Sequence, residues 1–452
     1  MPRRRTHTPL NVLINNRLCG RLEKQASGAI SFQYDPSWLA WKPAFPISLS
    51  LPLQEAPWRG EAVVAVFDNL LPDNTHVRRQ VAERTGAEGV DAYSLLGQIG
   101  RDCVGAMQFL PDGEAPDALQ PIQGNPISDE EIEALLANLA RAPLGIDCEQ
   151  EFRISVAGAQ EKTALLRHEG QWMRPIGTTP TTHILKPQLG EIPTSSGVID
   201  LSDSVENEHY CLTLLESFGL PIAKTEIATF GARRVLVVER FDRRRRGDQL
   251  LRLPQEDFCQ ALSTPSSRKY QRDTGPGVVD ILAKLQESDD PLADQAKVFK
   301  SQIVFWLIGA TDGHAKNFSV FLRPGGRFEL TPFYDVLSAQ PAFDAKRIPH
   351  RGFTLAMSAG ARPHYKILEV HGRHFVETAK AAGLGPTVIR RVLQDVLAAA
   401  PGAAAEALEK MPPGFPEAIH TSVAGAIQTR LPRLESAWEA IWGPDPITGF
   451  RW

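Results

Sequence analysis

The residues best suited to chemistry lie in one short segment, between Gly309 and Phe318. Asp312 and Asn317 are five residues apart in it, and a second acid, Asp335, follows a hairpin pattern. In phosphoryl transfer, a first carboxylate orients the attacking hydroxyl and accepts its proton, while an amide oxygen and a second carboxylate hold Mg²⁺. A turn-capping role for Asp312 and a solvated loop position for Asp335 explain each residue singly, but not their shared order. The spacing therefore favours phosphoryl transfer from a magnesium-bound nucleotide.

Two further groups of this segment, His314 and Lys316, are expected to place positive charge beside the transferred phosphate. A phosphate-binding loop is predicted upstream, from Ser155 to Lys162, because its small residues let backbone amides approach phosphates closely. The loop is similar to a Walker A motif, but Val156 and Glu161 occupy both required glycine positions. The Walker interpretation is therefore rejected.

A lysine and a glutamate complete the predicted site. Lys186 closes a predicted strand and is the expected cation for the α- and β-phosphates, the alternative being an exposed lysine at a strand end. Glu208 lies on the apolar face of a predicted helix with Ser204 as its N-cap, whereas Glu206 is expected to be solvated. Because an unpaired buried charge is very costly, we expect Glu208 to form a structural ion pair with Lys186.

The elements that must position these residues change in type along the chain. Up to about residue 250 the sequence favours short strands. Beyond Pro254 it favours helices, including an Ala-rich stretch from Val392 to Leu408, with one hairpin around Arg323–Arg327. The predicted strands include Leu10–Ile14, Ile30–Tyr34, the alternation of Phe152, Ile154 and Val156, Thr163–Leu166, Trp172–Met173, Thr182–Leu185 and Val235–Val238. Thr163–Leu166 and Trp172–Met173 flank a predicted turn at Glu169 and Gly170. This order predicts an α+β protein of two lobes with a cleft between them.

Composition excludes several classes of protein. The 452 residues suffice for two or three domain cores, and a net charge of −4 argues against a general polycation. The five cysteines contain no C-x-x-C pair, and no apolar run approaches the roughly 20 residues of a membrane span. A reduced, cytoplasmic protein without membrane association is expected. Arg243–Arg246 is interpreted as a solvated turn, and His371 with His374 lacks a third metal ligand.

The chain resembles the HipA family, the serine/threonine-kinase toxins of bacterial toxin–antitoxin modules, over nearly its whole length. The motifs that carry the resemblance are Leu49–Leu53, Phe67–Asp73, Ile99–Asp102, Phe152–Lys162, Val238–Asp242, Leu253–Asp257 and Ala310–Phe318. The resemblance implies a two-lobed protein-kinase-like α+β fold, with a β-rich amino-terminal half and an all-helical carboxy-terminal lobe. It predicts an amino-terminal β-rich subdomain at 1–115, a kinase N-lobe at 116–250 and a helical C-lobe at 251–452.

The resemblance also implies roles for individual residues. Asp312 would be the catalytic base, and Asn317 and Asp335 the magnesium ligands. Ser155 would be autophosphorylated, and its dianion would repel ATP phosphates and expel the loop, switching the enzyme off. The residues implied in ATP binding are Ala157, Gly158, Ala159, Gln160, Glu161, Lys162, Lys186, Glu239, Arg240, Phe241, His314, Lys316, Asn317, Tyr334 and Asp335.

The activity implied is that of a Mg²⁺- and ATP-dependent protein kinase that arrests growth by phosphorylating a translation protein, glutamyl-tRNA synthetase in the family. The implied partners are a HipB-like helix-turn-helix antitoxin dimer and, through it, operator DNA. Lys380 matches a basic residue that touches DNA in some relatives, whereas Gly383 replaces a second one. Two alternatives stay open: a corepressor subunit with little catalytic role, and a small-molecule kinase.

Overall fold

The computed structural model describes residues 7–114, 121–145, 155, 157–158, 160–194 and 197–443. Packing divides the chain into two compact units. The first unit comprises Met1–Pro187, Ala228–Arg268 and Ser319–Phe328, and the second comprises Gln188–Ile227, Lys269–Phe318 and Glu329–Trp452. Each unit is therefore assembled from three separate stretches of sequence, while the predicted division at residues 115 and 250 stays a prediction.

The strands concentrate in the first 260 residues. In chain order they are β1 (Leu10–Ile14), β2 (Arg17–Lys24), β3 (Ile30–Tyr34), β4 (Trp58–Arg59), β5 (Met107–Pro111), β6 (Gly124–Pro126), β7 (Thr163–His168), β8 (Gln171–Pro175), β9 (His183–Pro187), β10 (Gly190–Thr194), β11 (Gly197–Leu201), β12 (Thr225–Phe230), β13 (Arg233–Glu239), β14 (Arg243–Arg246), β15 (Gln249–Arg252), β16 (Gln255–Asp257), β17 (Ser319–Arg323), β18 (Arg327–Leu330), β19 (Thr354–Ala359) and β20 (His364–Lys366).

The longest helices lie towards the carboxy terminus. The helices are α1 (Pro36–Leu39), α2 (Glu61–Asp68), α3 (Thr75–Thr85), α4 (Ala92–Ile99), α5 (Asp129–Ala137), α6 (Ser204–Ser217), α7 (Phe258–Ala261), α8 (Val278–Lys284), α9 (Pro291–Ile308), α10 (Gln340–Asp344), α11 (Gly372–Ala381), α12 (Pro386–Glu409) and α13 (Glu417–Trp442). The predicted mixture of sheet and helix is confirmed, and the short strands β16–β20 accompany the helices of the carboxy-terminal half.

The first unit is built on two antiparallel sheets. The smaller has the order β4-β3-β2-β1-β5, and the larger the order β12-β13-β9-β7-β8-β6. Asn15 and Asn16 join β1 to β2 with positive φ angles of 47° and 64°, which asparagine tolerates in two-residue hairpin turns. Phe67 of α2 packs between Phe32 and Phe109 of the smaller sheet, with both centroid distances at 5.7 Å. These aromatic contacts join the sheet to its helix.

The sequence patterns predicted strands β7, β8, β9 and β13 of the larger sheet. The pattern around Glu169 and Gly170 predicted a hairpin, and β7 and β8 form one. The strands expected near Thr182–Leu185 and Val235–Val238 are confirmed as β9 and β13, which pair with each other. The strand expected at Phe152–Val156 lies outside the described residues, apart from Ser155.

The second unit is mainly helical, and α9 lies in its core. Twelve residues of α9 are buried, and the indole of Trp306 donates a hydrogen bond of 3.0 Å to the carbonyl of Ile367. The Ala-rich stretch predicted to be helical lies within α12, which packs on α6, α9 and α13. Among the described residues, no helix has both the length and the apolar character needed to cross a membrane.

Two expectations about α6 are wrong. Ser204 is not the N-cap, a position taken by Asp203; the Ser204 hydroxyl instead accepts a hydrogen bond from the amide of Leu189. Glu206 is not solvated, since only 3% of its surface is exposed. The reason is that α6 packs against both α9 and α12, so that its buried surface is wider than a single apolar stripe.

Candidate active site

The end of α9 delivers the segment with the predicted catalytic residues. Gly309 ends the helix in the left-handed region at φ 72°, and its amide bonds back to the carbonyls of Phe305 and Trp306. A methyl group at Gly309 would lie 3.0 Å from both Gln340 and Phe353. A larger residue is therefore disfavoured by these close contacts as well as by the positive φ. In the loop that follows, the Asp312 side chain is exposed, whereas Asn317 is buried.

Two hydrogen bonds fix the geometry around Asp312, and His314 lies nearby. The side-chain nitrogen of Asn317, Nδ2, donates to the backbone carbonyl of Asp312 at 2.8 Å. The hydroxyl of Tyr270 donates to Oδ1 of Asp312 at 2.6 Å. The Nε2 atom of His314 lies 3.9 Å from the same oxygen, which is too far for a hydrogen bond. The Asp312 side chain is nevertheless 58% exposed and thus accessible to a substrate.

His314 does not provide the positive charge expected of it. Its side chain is buried, and desolvation lowers its pKa below the ordinary value although Asp312 opposes this shift. The imidazole is therefore neutral at neutral pH. Lys316, the other expected cation, is also buried, and its backbone carbonyl accepts a hydrogen bond of 3.0 Å from the hydroxyl of Tyr334.

Asp335 lies on a loop that is bonded to the Asp312 loop. Ala310 forms a β-bridge with Ser338, and the Ser338 hydroxyl donates to the carbonyl of Ile308 at 2.6 Å. Asp335 itself adopts a positive φ of 59°, which is uncommon for a residue other than glycine and is found at functional sites. Burial lowers the pKa of His314, and the negative charge of Asp335 opposes that shift. Within the second unit, the loop that carries Asp335 is thereby joined to the segment that carries Asp312 and Asn317.

Helix α6 is tied to the Asp335 loop by a side chain that the sequence did not suggest. The side-chain nitrogen of Asn207 donates to the backbone carbonyl of Ser338 at 2.9 Å. The side-chain oxygen of Asn207 accepts a hydrogen bond of 2.8 Å from the backbone amide of Ser338. This pairing fixes α6, which carries the buried Glu208, relative to the loop after Asp335. The ion pair between Glu208 and Lys186 stays a prediction.

The predicted phosphate loop is part of the first unit. Lys162 is buried and its ammonium donates to the carbonyl of Ala157 at 2.8 Å, which closes the loop on itself. A methyl group at Gly158 would lie 2.5 Å from that ammonium. Gln160 donates to the carbonyl of Pro187 at 3.1 Å, at the end of β9. Glu161 is exposed, and Ala159 lies outside the described residues.

Ser155 is fully buried in this conformation. Its hydroxyl donates to the carbonyl of Leu70 at 2.6 Å, and its amide donates to the carbonyl of Asp102 at 3.0 Å. A buried hydroxyl that is already hydrogen-bonded cannot meet a phosphate donor until its segment moves.

Lys186 and the predicted hinge belong to neighbouring strands of the first unit. Lys186 lies on β9 opposite Leu236 of β13 and is buried, so it is not the exposed lysine at a strand end of the alternative interpretation. Glu239 ends β13 and is exposed, while Phe241 packs edge-on against Phe321 at 5.7 Å. The backbone amide of Arg240 is bonded to the carbonyl of Thr182 at 2.9 Å.

The side chain of Arg240 belongs to a buried arginine cluster, which consists of Asp102, Thr181, Arg240, Asp242, Arg243 and Arg252. Burial alone would raise the pKa of Asp102, but the three arginines hold it well below its usual range. Burial and the neighbouring Arg240 lower the pKa of Arg243 to about 10. The prediction that Arg243 lies in a solvated turn is wrong, because its buried guanidinium forms ion pairs with Asp102 and Asp242. Arg244–Arg246 are exposed on β14.

The remaining candidates lie elsewhere in the second unit. Lys380 is exposed near the end of α11. His374 stacks on His364 at 3.9 Å, and no group of three or more metal-ligating side chains occurs among the described residues. Sequence reasoning missed Tyr270, Asn207 and the role of Asp102. Only Asp102 carried a signal, because it ends one of the resemblance motifs.

Comparison with known proteins assigns the family. A family model described as "HipA-like C-terminal domain" matches residues 154–404, and one described as "HipA N-terminal domain" matches residues 10–110. "Putative kinase Y4mE" of Sinorhizobium fredii is 32% identical over 407 residues, covering 88% of this chain and 92% of that protein. "Serine/threonine-protein kinase toxin HipA" of Shewanella oneidensis is 30% identical over 344 residues, covering 73% and 75%.

The fold is also found in a solved structure, that of the Shewanella oneidensis toxin–antitoxin complex of HipA, HipB and operator DNA. The match has a TM-score of 0.78 and 25% identity, and it covers 95% of this chain and 99% of that one. The predicted kinase-like α+β fold is confirmed by this match.

Proposed function

Because the chain belongs to the HipA family, whose relatives are named kinases, we propose that it is a protein serine/threonine kinase that uses ATP and Mg²⁺. The observation that carries the proposal is the joining of two loops within the second unit. Tyr334 bonds to the carbonyl of Lys316, and Ala310 bridges to Ser338, which supports the proposal that Asp312, Asn317 and Asp335 act on one nucleotide.

In the proposed reaction, Asp312 accepts the proton of the substrate hydroxyl as that oxygen attacks the γ-phosphate. Asn317 and Asp335 fit Mg²⁺, since both offer the hard oxygen ligands that it prefers. The amide nitrogen of Asn317 is already used on Asp312, which leaves its amide oxygen for the cation. When bound, Mg²⁺ would neutralise charge on the phosphates.

Further groups of the chain would hold the nucleotide. We propose that Lys186 and the loop from Ala157 to Lys162 bind the phosphates, with His314 as a neutral hydrogen-bonding group. Arg240 cannot offer its backbone amide to adenine, because Thr182 already accepts it. The proposed hinge contacts are backbone groups of Glu239 and Phe241, on either side of Arg240.

Autophosphorylation of Ser155 would regulate this activity. The hydroxyl is buried against the carbonyl of Leu70, so the segment must leave its site before phosphate transfer. A phosphoserine dianion could not return to that site, because desolvating a charge beside a carbonyl oxygen is costly. Phosphorylation would thereby keep the phosphate loop out of its place.

Growth arrest and gene regulation are proposed by family likeness. The proposed partners are a HipB-like antitoxin dimer and operator DNA, as in the complex of the Shewanella relative. Glutamyl-tRNA synthetase is the proposed substrate, and the exposed Lys380 is a candidate DNA contact. Because that complex contains operator DNA, it also supports the second candidate function, a corepressor subunit.

The test compares purified wild type with Asp312→Asn, using labelled ATP, Mg²⁺ and candidate tRNA synthetases, followed by phosphosite mapping. We expect wild type to transfer label and Asp312→Asn to lose transfer by a factor of about 10² or more, because its proton acceptor is gone. Asp395→Asn, an exposed acid of the same unit, is the control and should transfer normally.

Equal transfer by Asp312→Asn and wild type would contradict the assignment of the base. Growth on overexpression separates the two candidate functions: a kinase toxin arrests growth only with Asp312 intact, whereas a corepressor acts equally well without it.

A further inference from the structure

Tyr270 is held between two residues of the catalytic segment. Its hydroxyl donates to Oδ1 of Asp312 at 2.6 Å. Its ring meets the imidazole of His314 edge to face, with a centroid distance of 4.9 Å and an interplanar angle of 82°. The phenol is therefore fixed both through its hydroxyl and through its ring.

The segment that carries Tyr270 is itself anchored. The side-chain oxygen of Gln271 accepts a hydrogen bond of 2.7 Å from the amide of Ser358 on β19. The guanidinium of Arg272 stacks over the ring of Tyr365 at 4.3 Å. Because the two residues that follow Tyr270 along the chain are fixed in this way, the position of its hydroxyl is well defined.

This hydrogen bond has a consequence for the carboxylate. The Asp312 side chain is 58% exposed, so it would otherwise rotate among several rotamers. A hydrogen bond from a hydroxyl to a carboxylate is charge-assisted and short, as the distance of 2.6 Å is. It selects one rotamer and occupies Oδ1. Within the described residues, Oδ2 has no hydrogen-bond partner, so it can accept a proton from a substrate.

We propose that Tyr270 is a positioning residue for the catalytic carboxylate of Asp312. It holds Oδ1 so that Oδ2 faces the incoming serine or threonine hydroxyl. The inference rests on the proposed kinase function and adds to it a residue outside the motifs that carry the family resemblance.

Tyr270 supports a phosphoryl transfer in which Asp312 accepts the proton of the substrate hydroxyl. The substrate oxygen forms a bond to the γ-phosphorus, its O–H bond breaks and the proton passes to Oδ2 of Asp312. The bond from the γ-phosphorus to the bridging oxygen breaks, and ADP leaves with the electron pair. Tyr270 keeps its proton throughout, so its contribution is geometry alone.

The experiment compares Tyr270→Phe with wild type in steady-state transfer from ATP to a protein substrate. We expect kcat to fall by roughly ten- to a hundredfold, the scale of a misplaced catalytic group. The affinity for ATP and the thermal unfolding midpoint should stay at the wild-type values, because the ring and its contact with His314 remain. Tyr93→Phe is the matched control, since it removes a hydroxyl that donates to the carbonyl of Thr8 in the first unit.

An unchanged kcat overturns the inference, and a raised kcat overturns it by showing that the hydroxyl competes with substrate for the carboxylate. A joint fall in kcat, ATP affinity and unfolding midpoint overturns it in favour of a role in folding. If wild type itself transfers no phosphate, the proposed function fails and the inference fails with it.

Discussion

At the scale of single residues, the most informative position is Ser155. Its hydroxyl and amide are both hydrogen-bonded within the first unit, to Leu70 and Asp102. These bonds therefore fix the first residue of the predicted phosphate loop, and the Ser155 hydroxyl is also the proposed acceptor of an inactivating phosphate. These two roles exclude one another, since the first requires burial and the second requires exit.

Ser155→Ala tests this conflict. The variant loses one buried hydrogen bond, worth about 0.5–1.5 kcal/mol, and it cannot be phosphorylated. We expect slightly lower thermal stability but kinase activity that persists during incubation with ATP and Mg²⁺, whereas wild type loses activity as phosphate accumulates at Ser155. Time courses of transfer to an added substrate, with phosphosite mapping, measure this. Equal decay in both proteins would argue against self-inactivation through this residue.

At the scale of elements, the sequence predicted what local chemistry controls. The hairpin at Glu169 and Gly170, strand β13 and the Ala-rich helix α12 all follow from turn residues and periodicity. Expectations failed where burial depends on packing between distant segments. Glu206 is buried because α6 packs on two helices, and His314 is neutral because its loop folds back into the protein.

The candidate site shows the same division. The loop spacing of Asp312 and Asn317 could be predicted, because both residues act within one short turn. Tyr270 and Asn207 could not be, since they reach the site from positions that are 42 and 131 residues from their hydrogen-bond partners. No local pattern records such a contact.

Helix α6 also provides a prediction about pH. His209 bonds to the hydroxyl of Thr225 at the start of β12, and desolvation lowers its pKa below the ordinary 6.5. Above pH 6.5 the folded and unfolded states both hold a neutral imidazole, so there is no penalty. As the pH falls below 6.5, the unfolded state binds a proton that the folded state does not, so stability is lost.

Thermal unfolding of wild type and His209→Gln at about pH 7.5 and about pH 5.5, on either side of the ordinary histidine pKa, measures the effect. We expect the variant to gain stability relative to wild type on acidification, because it lacks the titrating group. His76→Gln, at an exposed histidine of α3, is the control for replacing a histidine that is not buried. A constant offset for His209→Gln would show that its burial does not matter.

At the scale of the whole molecule, the first unit depends on charge as well as on apolar packing. The buried arginine cluster joins the segment after α4, the approach to β9, the end of β13 and strand β15. Asp102 contacts all three arginines of the cluster and accepts two hydrogen bonds from Thr181. Its backbone carbonyl also accepts the amide of Ser155, so one residue links the proposed hinge to the segment that is proposed to move.

Asp102→Asn should therefore weaken both folding and nucleotide binding. Removing one partner of a buried charge network typically costs about 3–5 kcal/mol, and here it leaves three guanidinium groups with a single remaining carboxylate, Asp242. Urea unfolding measures the loss of stability, and titration with ATP measures the loss of affinity. Asp112→Asn provides the comparison, since its exposed pair with Arg21 should contribute no more than about 1 kcal/mol.

The two variants together separate packing from charge. Both replace a carboxylate by an amide of the same shape, so a difference between them reports the low-dielectric surroundings of Asp102 rather than lost volume. If Asp102→Asn unfolds at the wild-type urea concentration, the cluster does not hold the first unit together. If Asp102→Asn unfolds at a lower urea concentration than wild type yet binds ATP with wild-type affinity, the cluster does not act on the phosphate loop through Ser155.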